Sequence, residues 1–288
     1  MSDQEKQQSV KPANPLASYF RQPKIYIKLP SNGDFYPEGS FDKSVNNEYA
    51  VYAMTAKDEL MFKTPDALMN GQATVEVIKS CIPAIRDPWK MPSIDLDAAL
   101  IAIRIATYGE EMDVNARCPQ CNTTNEYVLN LLGYLESVNS FEYQSVLQVG
   151  PLTIHIRPYN YQEVTKTAIK TLEQQKIFAI VNDDSMPDEE KVNRFGESFV
   201  RLTELTVDVV VGCIAAIDTP EGSVNDPKLI AEFIENSPGD VFRTINEHIT
   251  SMKDRMTLKA HNVRCTECDH EWSVEVTMDQ ANFFGVGS

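Results

Sequence analysis

The chain is 288 residues long, enough for about two ordinary domains, and its 42% apolar, 24% charged and 9% aromatic content excludes fibrous and fully disordered classes. With 26 Lys and Arg against 42 Asp and Glu, the net charge of −16 repels phosphate backbones and anionic membrane surfaces, so neither nucleic acid nor membrane is an expected partner. No window approaches about 18 consecutive apolar residues, and the opening MSDQEKQQSVKPANP has no apolar stretch, so neither a membrane span nor a secretory signal is expected.

Residues 1–22 are polar, rich in Gln, Ser, Lys and Pro, and read as a flexible arm. Order is expected from Ile25-Tyr26-Ile27-Lys28-Leu29, a strand, followed by a tight turn at Asn32-Gly33. A second short strand falls at Ala50–Ala53, and Thr55 caps a helix that starts at Ala56. Thr64-Pro65-Asp66 opens another helix that stops near Asn70-Gly71. The next runs from about Thr74 to Ile82, before Pro83. A third starts at Ser93, with Asp95 and Asp97 in the first turn where the helix dipole favours negative charge. It carries Leu96, Leu100, Ile103 and Ala106 on one face and ends near Gly109.

Glu111 to Leu131 is β-rich, and Val149–Pro158 alternates as a strand. From Tyr161 to about Arg255 the pattern is helical: Tyr161, Val164, Ala168 and Leu172 share a face, and Pro187 opens a second long helix bearing Phe195, Phe199 and Leu202. Within it, Thr206–Ile217 is so rich in β-branched residues that a strand stays open there. Pro227 and Ser237-Pro238 begin two further helices, and the last thirty residues return to β character before Phe283-Phe284-Gly285. The expected fold class is α+β, divided into the arm (1–22), a mixed domain (23–158), a helical segment (159–257) and a C-terminal β element with its tail (258–288).

Six cysteines without an export signal fit a reducing compartment, where paired cysteines hold metal or do redox work more often than they form disulfides. Cys81 and Cys213 sit alone in apolar stretches and read as small core residues. The other four form a short internal repeat. Asn115-Ala116-Arg117-Cys118-Pro119-Gln120-Cys121-Asn122 parallels Asn262-Val263-Arg264-Cys265-Thr266-Glu267-Cys268-Asp269, and an alternating strand follows each. Such pairs look like zinc knuckles, in which two thiolates one tight turn apart reach the same ion, and two knuckles supply the four ligands of a structural site. Residues 122–264 separate the pairs, where the usual loop is about 15–20 residues. One structural zinc per chain on Cys118, Cys121, Cys265 and Cys268 therefore makes the helical segment a long insertion in a zinc-ribbon-like element. Two other readings stay open. Each pair could bind separately, with His261 or His270 or in a dimer, or the pairs could be redox dithiols, although no βαβ pattern surrounds them.

No phosphate loop, dinucleotide fingerprint, H-E-x-x-H or G-x-S-x-G motif is present, and four thiolates would close a zinc shell that catalysis needs open. His155 lies in an alternating strand, and Asp183-Asp184 with Asp188-Glu189-Glu190 reads as a solvated loop and helix start. No catalytic or cofactor-binding residue and no small-molecule substrate are expected. The competing classes are a zinc- or thiol-dependent oxidoreductase or hydrolase, and a zinc-ribbon nucleic-acid adaptor.

Taken in order, Leu29-Pro30-Ser31-Asn32-Gly33-Asp34-Phe35-Tyr36-Pro37, Met54-Thr55-Ala56-Lys57-Asp58-Glu59, Ser80-Cys81-Ile82, Ala106-Thr107-Tyr108-Gly109, Cys118-Pro119-Gln120-Cys121 and Leu152–Pro158 leading into Tyr161-Gln162-Glu163 resemble the baseplate hub protein family of T-even-type contractile-tailed bacteriophages. The resemblance covers about residues 24–165. It implies a structural or assembly protein of the tail baseplate hub with no enzymatic activity. Its partners would be other baseplate or tail proteins, met in the host cytoplasm during assembly and, if the protein is retained, in the virion. The arm and the aromatic tail are candidate docking elements; plain disorder of the arm and tucking of Phe283 and Phe284 are the alternatives.

Overall fold

A computed structural model describes residues 14–63, 70–181, 187–256, 260–274 and 283–284. The helix expected from Thr64, the acidic pair Asp183-Asp184 and most of the arm lie outside these residues. β1 (Pro23–Ile27) pairs antiparallel with β2 (Tyr49–Tyr52), with Ile27 opposite Tyr49. The turn between them has Asn32 and Gly33 at positive φ, as their pairing predicts. A Cβ on Gly33 would lie 2.7 Å from the Phe41 ring, so no larger residue fits. Thr55 and Asp58 form a reciprocal capping box at the start of α1 (Ala56–Phe62). α2 spans Gln72–Cys81, and a 3-10 turn at Ser93–Asp95 leads into α3 (Leu96–Tyr108).

α3 is the axis of the first core. Every residue from Ala98 to Ala106 is buried, because this stretch is apolar nearly all round and α2, β1, β2 and α4 (Leu131–Asn139) cover it. The sequence placed Asp95 on the helix dipole, but its carboxylate points inward. It accepts hydrogen bonds from Ser31 N–H (2.8 Å), Ser31 Oγ (2.6 Å) and Tyr36 Oη (2.9 Å), tying the β1–β2 connection to the helix start. Burial pushes this carboxyl up to about 6.

The second half is not wholly helical. β5 (Val146–Val149) and β6 (Leu152–Ile156) form a hairpin that continues through β7 (Ile214–Thr219) to β8 (Gly222–Val224), an antiparallel sheet in the order β5-β6-β7-β8. α5 (Tyr161–Val181) packs along α6 (Asp188–Gly212), and α7 (Pro227–Asn236) and α8 (Gly239–Met256) follow the β7–β8 hairpin. The β-branched stretch therefore resolves as both structures: helix through Gly212, then strand from Ile214. The break sits where Gly212 meets the Tyr159 ring, so closely that a Cβ would come within 2.8 Å of it. Ile154, Ile156, Val210, Ile214, Ile217 and Ile245 are among the residues of a second core on this sheet. Arg157, bidentate on Glu163 (2.9 and 2.8 Å), fastens β6 to α5. Ser93 N–H to the Tyr159 carbonyl (2.7 Å) and Tyr161 N–H to the Met91 carbonyl (2.9 Å) join the two halves.

Two hairpins carry the cysteine pairs: β3 (Glu111–Arg117) with β4 (Thr124–Asn130), and β9 (His261–Arg264) with β10 (Glu271–Val274). The aromatic tail is tucked. Phe284 stacks on Phe62 at 4.5 Å, and the Arg104 guanidinium donates to the Phe283 carbonyl at 2.8 Å.

Candidate metal centre

Each cysteine pair occupies the tip of its hairpin, and the two tips repeat one another atom for atom in the backbone. Cys118 N–H donates to the Thr123 carbonyl (2.9 Å) and Asn122 N–H to the Cys118 carbonyl (2.9 Å). In the second tip, Cys265 N–H donates to the His270 carbonyl (2.8 Å) and Asp269 N–H to the Cys265 carbonyl (3.1 Å). Closing these turns needs a left-handed residue, and Asn122 (φ 60°) and Asp269 (φ 59°) provide it, as residue types that tolerate this region. The arginine before each pair braces its own turn: Arg117 Nε donates to the Asn122 carbonyl (2.9 Å), and Arg264 Nε lies 3.2 Å from the Asp269 carboxylate.

The tips face each other, and their four sulfurs all lie within 4.8 Å of one another. Cys118 Sγ is 3.7 Å from Cys268 Sγ, and Cys121 Sγ is 3.5 Å from Cys265 Sγ. Four sulfurs each about 2.3 Å from one ion stand at tetrahedron corners about 3.8 Å apart. The donor set therefore fits a single tetrahedral cation. It does not fit a disulfide, whose sulfurs are about 2.05 Å apart, and all four thiols are free. Cys118 and Cys265 are buried, while Cys121 is exposed at the rim.

The charge states point the same way. Hydrogen bonding to the side chain and backbone of Thr123 draws the Cys121 thiol down to about 6. Although the His270 N–H favours its thiolate, burial and the three other sulfurs push Cys268 up to about 12. Four sulfurs this close cannot all ionise unless a cation neutralises them. Cys81 and Cys213 are buried elsewhere, raised by desolvation to about 11 and about 12, and act as inert core residues. Among the described residues no histidine joins the sulfurs; His270 instead stacks on Trp272 at 6.0 Å.

The sequence reading missed Asn125, which lies between the two tips and is buried. Its amide donates to the Thr123 carbonyl (3.0 Å) and toward Cys265 Sγ (3.6 Å), and its oxygen accepts from Thr266 N–H and Oγ1 (both 2.9 Å). Tyr127 adds a bond from Oη to the Arg264 carbonyl (3.1 Å) and an edge contact to Trp272. The only sequence signal for Asn125 is a polar residue in a strand at a position its neighbours bury. His155 pairs with Asp218 (2.6 Å) across β6 and β7.

A family model described as T4 bacteriophage base plate protein matches residues 22–285. No curated protein and no solved structure matches the chain.

Proposed function

The chain belongs to the T4 bacteriophage base plate protein family, and we propose that it builds, or helps to assemble, the central hub of the baseplate, acting through contacts with other tail proteins. The ordered motifs from Leu29 to Glu163 support the hub in particular. Assembly places the protein in the host cytoplasm first and, if it is retained, in the virion tail. The role is structural, since four thiolates leave a metal no open coordination position for a substrate.

The match over residues 22–285 carries the baseplate reading, and the convergence of Cys118, Cys121, Cys265 and Cys268 from two hairpins far apart in sequence carries its structural, metal-stabilised part. One structural zinc on these thiolates closes the chain on itself, and the sheet and helices from Val146 to Met256 become an insertion between the two halves of a zinc-ribbon-like element.

Elemental analysis of reductively purified protein tests the metal: about one zinc per chain is expected, and none, or two, overturns the shared site. Peptide mass spectrometry of purified tails and hub precursors tests the assignment. Absence of the chain from both removes the hub reading while leaving the metal site standing.

A further inference from the structure

Beside the Ser93–Tyr159 hydrogen bond that joins the two halves lies a cavity of about 750 Å³, walled by the start of α3, the β6–α5 connection and helices α5, α6 and α8. Its floor is apolar, with Ile94, Cys213 and Met252 almost completely buried. Its mouth opens at α5, where Ala168 and Leu172 are exposed. The size falls within the roughly 300–1,000 Å³ of pockets that hold small organic ligands.

One group in this lining is out of keeping with it. Asp97, half-buried in the first turn of α3, is the only carboxylate of the described lining, and no hydrogen bond or ion pair ties its side chain to another described residue. Burial alone raises its carboxyl above the usual value. Lys253 lines the cavity too, engaged in a contact of its own; an ammonium at hand would lower the Asp97 carboxyl rather than leave it raised. Tyr143, Tyr159 and Cys213 do not compete as anions, since burial keeps all three protonated. A desolvated carboxylate on the wall of an apolar cavity is satisfied by a cation that brings its own apolar body, and the two tyrosine rings add to the attraction for an ammonium. We propose that this cavity binds a small organic ammonium, its charged head on Asp97 and its apolar body over Ile94, Cys213 and Met252. The inference goes beyond the assembly reading and depends on neither the hub nor the metal, so each can fail alone.

The test titrates the full chain with n-octylammonium and with n-octanoate, probes of equal length and opposite charge, below their micellar concentrations. Octylammonium is expected to bind at least about tenfold more tightly and to raise the melting temperature as its concentration rises. Asp97→Asn is expected to weaken its binding by about tenfold or more, whereas Glu247→Gln, the same change of charge at an exposed position of α8, should leave binding unchanged and so controls for general attraction to an acidic chain. Ala168→Phe narrows the mouth at an exposed position and should weaken binding of both probes without lowering the melting temperature of the free protein. Four results overturn the proposal: no binding, equal binding of the two probes, no greater loss in Asp97→Asn than in Glu247→Gln, or undiminished binding to Ala168→Phe. A lysine-bearing peptide that enters the cavity where octylammonium does not would assign it to a partner chain instead, and overturns it too.

Discussion

In the first cysteine hairpin seven residues of β3 pair with seven of β4, and Met112 and Leu129 carry the ladder into the first core; in the second, four residues pair on each strand, and Val263 and Cys265 alone are buried among those described. Their tips have the same turn, a left-handed residue at the same position (Asn122 and Asp269) and an arginine bracing each. A turn sequence thus sets local geometry and says little about what holds the element in place. An isolated two-stranded hairpin is marginal in water. The first is rooted in a core, whereas the second meets it through Asn125 and Tyr127 and, on the proposed shared ion, through sulfur.

If the proposed zinc is shared by the two hairpins, its loss should therefore act on them unequally. Cys265→Ser, or chelation, is expected to cost several kcal/mol, a part of the roughly 10–16 kcal/mol with which structural zinc binds small peptides. Amide exchange should rise across residues 261–274 and stay slow across 111–130. Cys118→Ser should give the same pattern, because the fourth ligand is lost either way. If β3–β4 melts together with β9–β10, the core does not root the first hairpin as its burial implies.

Phe284→Ala reverses the asymmetry. The side chain is buried against Phe62 in the first core, and Phe→Ala in a core costs about 3–5 kcal/mol. The midpoint of chemical unfolding should fall accordingly while the zinc content of the folded protein stays at one. Zinc loss from the folded variant would mean that the tail, rather than the sulfurs, positions the second hairpin.

Acid separates the two regions by sign. Asp95 has a folded-state pKa raised from the usual 3.8 to about 6, so the folded protein holds this proton more tightly than the unfolded chain does. Its contribution is favourable below the unfolded value and is lost as pH rises through about 6, on the order of 2–3 kcal/mol at roughly 1.4 kcal/mol per unit. Over the same range acid competes with metal for thiolates. Acidifying from pH 7 to 5 should thus firm the first core and loosen the metal centre. In the metal-free protein Asp95→Asn should abolish the gain; an unchanged slope of stability against pH would assign it to another group.

What was legible in the sequence follows the range of the interactions. The two cysteine turns, the cap at Thr55 and the turn at Asn32-Gly33 are local, and their residue types dictate them over a few positions. The helix from Tyr161 and the strand at Leu152–Ile156 were legible from periodicity. The hairpin β7–β8 was not, because β-branched residues suit either a buried helix or a strand, and only the strand partner β6, some sixty residues away, decides. Asp95 misled for the same reason: its position fits a helix N-terminus, but Ser31 and Tyr36, whose bonds turn it inward, lie far off in sequence. The aromatic tail could not be placed from sequence, since an exposed anchor and a core residue look alike until Phe62 is beside it.

The smallest effect is expected where the two hairpins touch without sulfur. Asn125→Ala removes the amide that bridges the tips and leaves the N–H and Oγ1 of the exposed Thr266 to water, which costs about 1 kcal/mol, the net worth of an ordinary hydrogen bond. It also removes the donor aimed at Cys265 Sγ, and loss of such outer contacts weakens metal binding by about 10–100-fold. Asn125→Asp distinguishes the two roles. It can keep the bonds from Thr266, but it loses the donation to sulfur and sets a negative charge beside a thiolate. If bridging the hairpins is the main task, the aspartate variant should hold β9–β10 in place better than the alanine one. If tuning the sulfur is, the aspartate variant should bind zinc more weakly than alanine does. Competition with a chelator of known affinity, alongside amide exchange of residues 261–274 in both variants, reads the two quantities separately. Wild-type values for both would mean that Asn125 is dispensable and that the sulfurs, with Tyr127 on Arg264 and Trp272, suffice to hold the second hairpin to the first.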